Sequence, residues 1–164
     1  MLDSPINRNE IIKVFPGLKN DKFFKIEDSS PNYNCIAWAA HVTDCWWDKL
    51  PHGNRPSIRF DGVKVDWPFD VDFEFSTRVL IEIFTQLSFV ICEDGEYEDG
   101  FKKVVIYEKD AEATHMARQL TNSTNKGIWT SKLGGWFRIT HESPLTIEGN
   151  AYGVATIFMK KSMS

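Results

Sequence analysis

Apolar residues recur at helical spacing in three places in the first half of the chain. A short helix is predicted around Asn9 to Val14 and stopped by Pro16, after which Gly17 to Pro31 carries no period and reads as an irregular lead-in. Asn34 is the natural N-cap of a second helix, because Ile36, Ala37, Ala39, Ala40 and Val42 follow without a breaker, with Cys35 in the first turn. The stretch from Trp46 to Phe75 holds Pro51, Gly53, Pro56, Gly62 and Pro68, which predicts a long aromatic loop. Ser76 then caps a third helix, in which Val79, Leu80, Ile83, Phe84 and Leu87 return on one face.

From Phe89 onward the period changes. FVICE, KKVVIYE, THMARQL, GIWTSKL and GVATIFMK are short β-rich runs separated by Gly, Asp, Asn and Pro. Short connections without intervening helices favour antiparallel pairing. The expected fold is therefore α+β, with N-terminal helices followed by an antiparallel sheet. With no repeat, low-complexity tract or linker-like stretch, residues 1–164 read as a single domain.

Composition narrows the function classes. Of the 164 residues 42% are hydrophobic and 13% aromatic, enough apolar surface to exclude a disordered chain. Lys and Arg number 19 against 23 Asp and Glu, a net charge of −4 that argues against nucleic acid as a partner. No apolar run approaches the ~18 residues that would span a membrane, and the opening MLDSPINRNE lacks a basic stretch followed by an apolar one. Three cysteines, Cys35, Cys45 and Cys92, cannot all pair internally, so the expected compartment is a reducing cytoplasm, with export by a signal-independent route as the alternative. His41 and Cys45 share an i, i+4 spacing, but two ligands do not make a metal site, and neither a metal nor a cofactor is expected.

Cys35 is the first candidate for chemistry. A thiol in the first turn of a helix meets unpaired backbone N–H groups that favour thiolate. The bland alternative is one more small residue on an apolar helix. His115 lies in THMARQL, where alternation puts His115, Ala117 and Gln119 on one face and Met116, Arg118 and Leu120 on the other. It is the candidate general base, against a structural strand histidine. His141, in ITHESPL, reads as structural, capping a turn, with lining the same groove as the alternative, and His52 reads as a solvated loop residue. The Cys35 amide and the side chain of Asn32 or Asn34 are candidate oxyanion donors. Gln119, Thr130 and Ser131 are the groups available to orient His115, and Ser131 leads because it alternates with Trp129 and Leu133, leaving Lys132 on the opposite side.

The islands NYNCIAWAA, KVVIYEKD, HMARQL, WTSKLG, ITHE and GNAYGVATIFMKK, in this order from Pro31 to Lys161, resemble an uncharacterised bacterial domain family. Their layout is in turn similar to the papain-like NlpC-type and CHAP-type cysteine peptidases and amidases, which pair a cysteine at a helix start with a histidine on a later strand. That resemblance implies Cys35 as nucleophile, His115 as base and, on the next strand, Ser131 or its neighbour as third residue. The chain departs from the NlpC pattern in having Asn34-Cys35-Ile36-Ala37 where Asp-Cys-Ser-Gly is common, and Thr114 where a glycine usually precedes the histidine. The expected activity is cleavage of an amide, peptide or isopeptide bond in a protein or peptide-like substrate, or acyl transfer or deamidation by the same chemistry. The alternative is a non-catalytic interaction or immunity-type domain that keeps the fold, its six tryptophans and twelve phenylalanines partly serving a binding surface.

Overall fold

A computed structural model describes residues 1–48, 57–59 and 61–164. His52 lies outside them. Helix α1 spans Pro5–Val14, capped by the Ser4 hydroxyl, which accepts from the Asn7 N–H, and it runs into a 3-10 turn at Pro16–Asn20. Strand β1 (Lys25–Asp28) follows, then α2 (Cys35–Ala39), the short strands β2 (Trp46–Trp47), β3 (Ser57–Ile58) and β4 (Lys64–Asp66), and α3 (Thr77–Gln86). The remainder is β5 (Val90–Cys92), β6 (Phe101–Lys109), β7 (Glu112–Gln119), β8 (Trp129–Lys132), β9 (Arg138–His141), a 3-10 turn at Pro144–Ile147, and β10 (Val154–Ser162).

The fold is α+β, dominated by a seven-stranded antiparallel sheet in the order β1-β9-β8-β7-β6-β10-β5. The helices do not simply precede the sheet. β1 enters it from the predicted lead-in, pairing Lys25 with Thr140 and Ile26 with Ile139, and the predicted aromatic loop contributes β2, β4 and β3 to a small second sheet. Helix α2 is shorter than its apolar run, because the chain turns out of helix at Ala40 and His41 adopts a positive φ of 65°. His41 and Cys45 therefore do not share a helical face, and the His41 ring instead meets the Arg118 guanidinium.

Strand alternation gives the large sheet two buried faces. One carries Val104, Ile106 and Met116 and is covered by α2 and α3 through Ile36, Ala39, Val79, Leu80, Ile83 and Phe84. The other carries Val105, Ala117, Trp129 and Ile139 and is covered by Ile11, Phe15 and Leu18 of α1 and its 3-10 extension. Helix α2 is fastened to its face by Trp38, whose Nε1 donates to Thr130 Oγ1 at 3.2 Å. The guanidinium carbons of Arg118 and Arg138 lie 3.8 and 4.3 Å from its ring centre, so cation–π attraction adds to the burial of apolar area.

Candidate functional site: a buried thiol where two strands part

Asn34 fixes the start of α2. Its Oδ1 accepts from the Ala37 N–H at 3.3 Å and the Trp47 N–H at 3.2 Å, while its Nδ2 donates to the Trp47 carbonyl at 2.7 Å. The cap and the chain of β2 thus hold its Oδ1 and one Nδ2 hydrogen, which leaves only the second Nδ2 hydrogen for the oxyanion role expected of it. Asn32, two residues earlier, is solvent-exposed.

Cys35 follows the cap with only 8% of its surface exposed. Strands β7 and β8 pair only at Arg118–Thr130 and Gln119–Trp129. Beyond that point the strands part, and the Met116 main-chain N–H turns to the Cys35 sulfur. Burial pushes the thiol up to about 11; the N–H groups of Met116 and Ile36 and the Lys132 ammonium oppose that rise without cancelling it. Lys132, which points to this face, donates to the Gly134 and Trp136 carbonyls at 2.6 and 3.1 Å and lies 5.1 Å from the Tyr33 ring centre. Desolvation lowers its own pKa to about 8.

His115 immediately precedes Met116, so its ring turns to the other face of the sheet. It pairs with Tyr107 across the β6–β7 ladder and stacks on Tyr152, with ring centres 4.0 Å apart and planes within 3°. The ring is completely buried, and among the described residues neither Nδ1 nor Nε2 has a hydrogen-bond partner. No thiol–imidazole hydrogen bond is formed. Burial holds the imidazole well below the usual histidine range, and the nearby His141 adds to that.

The expected third residue serves a different histidine. Ser131 Oγ lies 2.8 Å from His141 Nε2, and His141 Nδ1 lies 2.8 Å from the Ser143 carbonyl. Because a carbonyl only accepts, Nδ1 carries the proton and Nε2 accepts from the serine hydroxyl. Ser131 therefore orients His141 and not His115. Thr130 is held by Trp38 and by the Ile139 carbonyl. Gln119 donates to the Gly95 carbonyl at 2.8 Å, at the far end of β7. None of the three groups expected to orient His115 does so.

The sequence gives no chemical signal for Lys132 or Tyr152, and His141, which could also line the groove, reads there as structural. Alternation placed Lys132 on the face opposite Trp129 and Ser131, but which helix covers that face depends on contacts distant in sequence. Among the described residues no three His, Cys, Asp or Glu side chains gather as a metal site, and no helix is long and apolar enough to cross a membrane.

These features define an α+β domain with a deeply buried thiol on one face of the sheet and a buried histidine, unpartnered among the described residues, on the other. The chain belongs to the family described as a domain of unknown function (DUF7689), which matches residues 25–160. No curated protein and no solved structure matches it.

Proposed function

We propose that the chain is a thiol hydrolase of papain-like arrangement whose nucleophile, Cys35, and base, His115, are held in a closed resting state. The observation that carries this reading is the orphaned imidazole. A structural histidine in a core normally has its ring nitrogens bonded, as both of those in His141 are, whereas His115 is equally buried with neither nitrogen partnered among the described residues. It directly precedes the residue whose N–H meets the Cys35 sulfur. Such an unspent acid–base group, one residue from the backbone N–H that meets the thiol but on the other face of the strand, suits a site completed only when substrate parts α2 from β7 and the His115 ring leaves Tyr152.

In that opened state the Cys35 S–H proton passes to His115 and the sulfur attacks an amide carbonyl. The tetrahedral oxyanion meets the Met116 N–H, which the departing thiol leaves free. His115 then returns the proton to the leaving amine as the C–N bond breaks, and water hydrolyses the thioester, giving the acid and the free thiol. The three free cysteines among the described residues suit a reducing compartment.

A second reading, a non-catalytic interaction domain with the same fold, is favoured by the burial of both residues and by the raised thiol pKa. Incubation with p-nitrophenyl acetate separates them. The hydrolase reading expects an acetyl group on Cys35 by peptide mass mapping and sustained nitrophenolate release that Cys35→Ala abolishes. Acetylation confined to lysines, with release equal in Cys35→Ala, overturns it.

A further inference from the structure

A cleft of about 710 Å³ lies on the α1 side of the sheet, at the Gln119 end of β7, a volume in the range of ligand-binding sites. Three features describe what fits it. Its apolar part is Phe158, set edge-to-face on the buried Trp129 with ring centres 6.3 Å apart, together with the exposed Phe23 and Leu145. Its rim carries the exposed carboxylates of Glu93, Glu96 and Glu142, while the Asp94 carboxylate is taken by Lys103 at 3.3 Å. The one cation of the rim, Lys126, stands 3.7 Å from Asp99. The unpaired charge facing the opening is therefore negative.

The third feature is Gln119, which lines the cleft with only 4% of its surface exposed. Its Nε2 must face the Gly95 carbonyl, because two carbonyl oxygens cannot bond each other, and this fixes the orientation of the amide. The Oε1 is then a buried acceptor with no donor among the described residues. Such an atom is stabilised by any N–H that reaches it. An acceptor without a donor, a flanking apolar wall and an acidic rim together select a ligand with an amide N–H, an apolar side chain and cationic groups.

We infer that this cleft binds a short basic peptide segment, with an apolar side chain on Phe158 and the exposed Leu145, Lys or Arg side chains against Glu93, Glu96 and Glu142, and one main-chain N–H reaching Gln119 Oε1 as binding uncovers that buried amide. The site is separate from Cys35 and stands whether or not the chain is a hydrolase. The test is fluorescence anisotropy with a fluorescein-labelled Arg-Leu-Lys-Arg peptide, compared with its Glu-Leu-Glu-Glu counterpart and with spermidine as competitor. Saturable binding of the basic peptide is expected, weakening as salt rises. Paired substitution of the exposed rim, Glu93→Lys with Glu142→Lys, should weaken it at least tenfold, and Gln119→Leu about fivefold or more. Absence of saturable binding overturns the assignment, as does binding that survives the paired rim substitution. Equal binding of the acidic peptide, or displacement by spermidine at concentrations matching the peptide's own affinity, rules out peptide recognition.

Discussion

At the scale of single residues, the two buried histidines differ in what holds them. His141 is tied at both nitrogens in its neutral form, and burial lowers its pKa to about 4 despite the Ser143 carbonyl and Asp21, which act in the other direction. The unfolded chain takes up that proton near the ordinary value of 6.5. Between those values the native state binds fewer protons than the unfolded state. Stability from this residue is thus complete above the unfolded pKa and is lost as the pH falls towards the folded one. By about pH 5.5 the loss from His141 alone is on the order of 1 kcal/mol. Urea titrations at about pH 7.5 and pH 5.5 should show that drop, and His141→Gln, whose amide has no proton to gain, should show a smaller one. An identical pH dependence in the variant would mean that His141 is not held neutral. His115, also held neutral by burial, acts in the same direction in both proteins.

At the scale of elements, α2 is a five-residue helix that depends on its cap and on its seat against the sheet rather than on length. Asn34→Ala removes the cap and leaves the N–H and carbonyl of Trp47 without their side-chain partner. A loss of about 2 to 4 kcal/mol is expected in chemical denaturation; a loss below about 1 kcal/mol would show that the cap is not what sets the α2 start. The legible elements were those with a local signal. α3 appeared between its Ser76 cap and Gln86 because four apolar residues recur on one face, and all four are fully buried. β1 was invisible because Lys25–Asp28 contains a single apolar residue and owes its extended form to β9, more than a hundred residues later. The end of α2 was also illegible, since Ala40 and Val42 continue the apolar pattern while the backbone turns at His41.

At the scale of the whole molecule, the sheet is an interior layer with helices on both faces, and this decides the geometry of the candidate site. Alternation correctly grouped His115 with Ala117, and Met116 with the other face. It carried no information on which face α2 would cover. α2 covers the Met116 face, so the Cys35 sulfur meets the Met116 N–H at the edge of β7 where β8 has parted from it, while the His115 ring lies on the opposite face against Tyr107 and Tyr152. The third position was misread for the same reason: Ser131 shares the His115 face as alternation requires, but β9 brings His141 alongside and takes its hydroxyl. The central claim is that the thiol and His115 act as a pair when this edge opens. The most direct measurement is the alkylation rate of Cys35 by iodoacetamide from about pH 6 to about pH 10, followed by peptide mass mapping in the native protein and in His115→Gln, per folded molecule. A functional pair predicts that the native rate near neutral pH exceeds that of His115→Gln at least tenfold and levels off as the imidazole takes the thiol proton. Equal rates in the two proteins, both climbing tenfold per pH unit as a lone thiol pushed up to about 11 requires, would contradict it.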